Sequence, residues 1–229
     1  MIRRILYVVA LLAGVCEASA AGRAEEILGR VAEGFRAMKD YTVRFEVAAD
    51  EYRTPGSYAV RGGSYYLRLG DDAEVYSDGR LRYEVDNRRR EVTVTEVNRA
   101  SRNILDNPVQ AFDFLGSEYD FSLEGESGGR ATVRLVPTAE NDTSAGVVTL
   151  VVDTSSMRPV SLAYDYDGER VGIRVTGIEP QAGHFRTFDR QAYGGYEFID
   201  FRSSENILGR HVHGGPKLYL QNYRKSMNS

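Results

Sequence analysis

From Tyr41 onward, hydrophobic and polar residues alternate with the two-residue period of a half-buried strand; just before it, the period is that of a helix. Residues 24–38 place Ile27, Leu28, Val31, Phe35 and Met38 near one stripe, with Glu25, Glu26, Arg30, Glu33 and Arg36 largely elsewhere. Gly29 and Gly34 each weaken such a helix by about 1 kcal/mol relative to Ala, so docking of the stripe must hold it. Strands are predicted over 41–47, 57–61, 65–69, 74–76, 81–85 and 91–97. Gly62-Gly63 and Ser77-Asp-Gly79 supply turn chemistry between neighbours. On 81–85, Arg82 and Glu84 form a polar face opposite Leu81, Tyr83 and Val85.

The alternation then breaks. Asn107-Pro108 at a cap and first-turn position, followed by Phe112, Phe114, Leu115 and Gly116, predicts a short apolar helix. Strands resume over 119–123, 130–136, 147–152, 160–166 and 170–178, with Asp167-Gly168 as a turn. Many short strands joined by hairpin turns imply an antiparallel sheet or barrel. One long and one short helix cannot cover both faces of so many strands. The sheet therefore closes, packs as a filled sandwich, or keeps a concave apolar face able to hold a ligand.

Composition changes this picture in few places. Of the 229 residues, 42% are hydrophobic, enough for a core. The net charge of −4 gives no electrostatic reason to expect nucleic acid. Arg3-Arg4, the apolar run 5–15 and Ala18-Ser-Ala20 read as an export signal, residues 1–20, too short to span a bilayer. Cys16, the one cysteine, lies within it. A bacterial lipidation box would use Cys16, but Val15 fits that box poorly, and cleavage after Ala20 is the preferred reading. Residues 21–202 are read as one domain and 203–229 as a basic tail with Arg210, Lys217, Arg224 and Lys225.

Catalytic chemistry finds little support. His184, His211 and His213 are the histidines, and no Gly-x-Ser-x-Gly elbow or phosphate-cradling Gly-rich loop occurs. His211-Val-His213 offers two ligands, too few for a structural metal site. Asp71-Asp72 and Asp165/Asp167 suit hairpin loops better than calcium, and Arg88-Arg-Arg90 suits a solvated turn better than a phosphate patch. No enzyme activity, cofactor or metal is expected.

The order of these features resembles the outer-membrane lipoprotein carriers, the LolA-like family. The resemblance runs from the opening helix through Gly62-Gly63, the Val75–Gly79 hairpin and Asn107-Pro108 to Phe188-Asp189, Tyr193 and Glu197-Phe-Ile-Asp200-Phe-Arg202. It covers about residues 24–202. It implies a half-open antiparallel barrel, a curved sheet whose concave apolar face is covered by the N-terminal helix and a short helix. It further implies a monomeric periplasmic carrier that takes acylated lipoproteins from an inner-membrane donor complex to an outer-membrane acceptor. A lipid-sensing or receptor module on the same half-barrel, anchored if Cys16 is lipidated, is the alternative.

Strand parity then assigns the lining of the hollow to Phe45, Val47, Val60, Leu67, Leu69, Tyr83, Val94, Phe112, Phe114 and Leu150. Carriers of that family latch their lid with an Arg-Pro pair. Here Arg61 precedes Gly62-Gly63 and is either a displaced latch or a surface residue.

Overall fold

Residues 21–49, 52–97, 119–138, 146–166 and 169–202 are described by the structure, a computed structural model. A helix, α1, spans residues 21–38 and ends where Lys39 turns to φ 57°, the left-handed conformation that terminates helices. Twelve strands follow: β1 Asp40–Ala49, β2 Tyr52–Arg61, β3 Ser64–Leu69, β4 Ala73–Ser77, β5 Leu81–Asp86, β6 Glu91–Glu96, β7 Tyr119–Ser127, β8 Arg130–Pro137, β9 Val148–Asp153, β10 Arg158–Tyr166, β11 Glu169–Glu179 and β12 Glu197–Asp200. The molecule is mainly β. Its strands form one open sheet in the order β12-β6-β5-β4-β3-β2-β1-β11-β10-β9-β8-β7. The expected open antiparallel sheet behind an N-terminal helix is borne out, with one departure: β12 joins β6 in parallel. The predicted 107–116 helix, the 1–20 leader and the 203–229 tail lie outside the described residues.

Local chemistry explains the tight hairpins. Gly79, at φ 81°, closes the β4–β5 turn, while the Asp78 carboxylate accepts from the Arg80 and Leu81 amides. In the β5–β6 turn the Asp86 carboxylate accepts from the Arg88 and Arg89 amides, so Arg88-Arg-Arg90 is a hairpin tip. Between β9 and β10, Asp153 accepts from the amides and hydroxyls of Ser155 and Ser156. Those four bonds lower its carboxyl to about 2.

The chain forms two compact units. The first contains α1, β7–β10 and most of β11. Its sheet has one continuous apolar face. Val133, Leu150 and Leu162 share one row, and Ala131 pairs Val152 on the same face. Arg134, Thr149 and Ala163 occupy the opposite face. Ala131, Val133, Leu135, Leu150, Val152 and Val171 are buried, as is the helix stripe of Ala24, Ile27, Leu28, Val31 and Phe35. Arg23 ties the first helical turn to β7 through two bonds to Glu126, at 3.0 and 3.2 Å. The second unit holds most of β1 and β2, all of β3–β6, and the chain from Thr176 through β12. Among the described residues, no helix is long and apolar enough to cross a membrane.

Candidate functional site

The second unit departs from the one-face rule: its sheet is apolar on both sides. Register defines the faces. Tyr66, Tyr76, Tyr83 and Val94 stand in one row across β3–β6, and Glu74, Val85, Val92 and Phe198 in the next. On the opposite face Tyr58, Leu67, Val75 and Glu84 form one row across β2–β5, and Val60, Tyr65, Ser77 and Arg82 another.

The first face is covered by the segment after β11. Thr42, fully buried, donates its hydroxyl to the Gln181 carbonyl at 2.9 Å and fixes the start of this strap. Asp189 then caps a short 3-10 helix, Arg190–Tyr193, by accepting from the Gln191 amide at 2.9 Å. Phe188 stacks on Tyr83 with ring centres 4.0 Å apart and on Tyr193 at 5.4 Å. Phe185, Phe188, Tyr196 and Phe198 pack around the buried Tyr66, Tyr76, Val85, Val92, Val94 and Tyr193.

A carboxylate sits in this aromatic face. Glu74 accepts from the hydroxyls of Tyr66 (2.6 Å), Tyr193 (2.7 Å) and Tyr76 (3.2 Å), and the Tyr76 and Tyr193 hydroxyls lie 2.8 Å apart. Burial by itself would raise the Glu74 carboxyl. The bonds from Tyr66, Tyr193, Tyr76 and Asn87 outweigh burial and hold it below the usual range. The same burial and the neighbouring carboxylate push the three phenols well up. Glu74 is thus an ionised anchor that fastens the strap through Tyr193.

The second face has no such closure by the strap. Tyr41, Val47, Val60, Tyr65 and Val75 are buried on it, while Phe45, Tyr58, Leu67 and Leu69 keep partial exposure. β1 is placed on this face by its rings: Tyr41 meets Tyr58 at 6.4 Å, and Phe45 occupies the space above Gly56, where a Cβ would stand 2.3 Å from its ring. Tyr58 and Tyr65 are 5.7 Å apart. Arg82 and Glu84, read from sequence as a polar face, are buried here and pair at 2.7 Å. Burial raises the Tyr41 hydroxyl to about 12 and that of Tyr58 well above its ordinary value, with Tyr41 and Tyr65 contributing to the latter.

The structure therefore divides the lining residues assigned from sequence. Phe45, Val60, Leu67 and Leu69 share the second face, with Val47 joining by alternation. Tyr83 and Val94 lie on the first face, within the aromatic cluster. Leu150 belongs to the apolar face of the first unit, and Phe112 and Phe114 lie outside the described residues. Arg61 points to the first face, with its guanidinium 4.7 Å from the centre of the Phe185 ring, so it engages the strap. Glu74 and Tyr58 were not singled out from sequence. A lone acid or tyrosine in an alternating strand carries no local signal, and Tyr193 is 117 residues from Tyr76.

A surface depression of about 470 Å³ lies in the first unit, lined by Glu124, Gly125, Ser127, Arg130, Thr132 and Val151. With one aliphatic side chain it offers no apolar wall. Among the described residues, no three His, Cys, Asp or Glu side chains gather as a metal site would require.

No protein-family model and no curated protein matches the sequence. Solved structures do resemble the fold. An uncharacterized conserved protein from Thermus thermophilus is similar at 10% identity and TM-score 0.48, over 78% of this chain and 99% of that one. A LolA superfamily protein from Nitrosomonas europaea is similar at 11% identity and TM-score 0.36, over 74% and 96%. LprF from Mycobacterium bovis is similar at 14% identity and TM-score 0.41, over 70% and 94%. The likeness is one of fold alone.

Proposed function

We propose that this protein is a non-enzymatic periplasmic carrier that shelters the acyl chains of lipoproteins on the second face of the β1–β5 sheet and passes them to an outer-membrane acceptor. The observation that carries this reading is the two-sided apolar sheet. One side is sealed by the chain's own aromatic strap; the other presents Phe45, Leu67 and Leu69 with partial exposure beside Val60 and Val75. Each methylene removed from water contributes about 0.8 kcal/mol, so an acyl chain lying on such a face is held without any directional chemistry. Handover then requires an acceptor of higher affinity and no bond cleavage by the carrier.

Gel filtration of the chain from Ala21 with an acylated lipoprotein and with its unacylated form tests the proposal. Co-elution with the acylated form alone is expected; co-elution with neither, from a folded sample, would overturn it. Leu67→Asp places a charge on the second face and should weaken acyl binding at least tenfold, whereas the volume-conserving Leu67→Met should not. Equal binding by folded Leu67→Asp would remove this face from the site.

A further inference from the structure

The second face carries the ring of Tyr58. The Tyr58 hydroxyl is fully buried and finds no hydrogen-bond partner among the described residues. Its ring lies between Tyr41 and Tyr65, and in register it stands beside Leu67 and then Val75. On the same face Arg82 and Glu84 pair with each other at 2.7 Å. Ser77 Oγ is likewise engaged, accepting from the Gly79 amide at 3.1 Å. A buried hydroxyl left unpaired costs more than a typical hydrogen bond returns, and phenylalanine would fill the same ring space without that cost. Burial also keeps the phenol protonated, so it is a donor at any working pH.

We infer that Tyr58 is a specificity-determining residue, a single hydrogen-bond donor set in an apolar wall to receive the ester carbonyl of a bound acyl chain. The inference rests on the carrier reading and narrows its ligand to acyl esters rather than hydrocarbon in general. An acyl ester matches the surroundings: its chain lies along Leu67, Leu69 and Phe45, while its carbonyl is an acceptor without charge. A carboxylate would bring an uncompensated negative charge into this apolar environment, which disfavours a free fatty acid. In the ligand-free form the unpaired hydroxyl destabilises the site; because it is covered there, the side chains over it part as the carbonyl arrives, and the new bond removes that cost.

Competition against a fluorescent acyl probe, using methyl hexadecanoate and the matching methyl hexadecyl ether, tests this on the chain from Ala21. Wild type should prefer the ester by about five- to tenfold, the worth of one neutral hydrogen bond. Tyr58→Phe should bind both equally, keep the ether affinity of wild type, and melt no lower in the absence of ligand. Equal binding of ester and ether by wild type would overturn the inference while leaving the carrier reading intact. An ester preference that survives in Tyr58→Phe would also overturn it. No binding of the probe itself would sink the carrier reading and this inference with it, and a bound probe that neither compound displaces would overturn the inference.

Discussion

Glu74 shows how much one residue can hold. It is an ionised carboxylate in an aromatic surround, and it tolerates that place because three tyrosine hydroxyls converge on it. Glu74→Gln keeps the shape but weakens charge-assisted bonds to neutral ones. The expected loss is about 1–2 kcal/mol, read from denaturant unfolding, with the largest disturbance at Tyr193. The pH dependence has a definite sign. Because the folded carboxyl is held below its unfolded value, its contribution is complete above the ordinary glutamate range. It is lost as pH falls through the lowered folded value. Acid should thus loosen the wild-type strap, and the acid sensitivity of Glu74→Gln should be smaller; an identical acid profile in the two proteins would refute the anchor role.

Among the elements, the β4–β5 hairpin is the most tightly determined. Gly79 has φ 81°, and a Cβ there would stand 2.9 Å from the Gly63 carbonyl oxygen, so both torsion and space require glycine. Gly79→Ala should cost more than about 1 kcal/mol by thermal or chemical melt, whereas Gly29→Ala in α1, with open space around it, should raise stability by up to about 1 kcal/mol. A neutral Gly79→Ala would contradict this account of the turn. These hairpins were legible because their chemistry is local: Asp78-Gly79 and Gly62-Gly63 state their turns within four residues. β12 was not. Its four residues are not among the strands predicted above, and they become a strand only by pairing with β6, where the Glu197 amide donates to the Arg90 carbonyl at 2.8 Å.

For the molecule as a whole, the strap decides which sheet surface is core. Ending the chain after Gln181 would uncover Tyr66, Tyr76, Tyr83, Val85, Val92 and Val94 together. Such a chain should bind a hydrophobic dye several-fold more strongly than the protein from Ala21 and should self-associate in gel filtration. A monomeric, dye-silent truncation would mean that the strap is not required to close this face.

Alternation along each strand determined that the protein is mainly β, where its hairpins turn, and which side chains share a face within a strand. Those properties depend on neighbours two to four residues apart, and the chain carries them everywhere. Alternation cannot say which face of one strand aligns with which face of the next when both faces are apolar. Tyr83 and Val94 therefore joined Val60 and Leu67 in the lining assigned from sequence, although the register sets them on opposite sides. Only the tertiary structure decided that the strap takes one face, that Arg61 stacks on Phe185, and that Tyr58 buries an unpaired hydroxyl on the other face. The physical reason is distance in sequence: long-range register and burial set these contacts, and residues more than a hundred positions apart leave no periodic trace of their meeting.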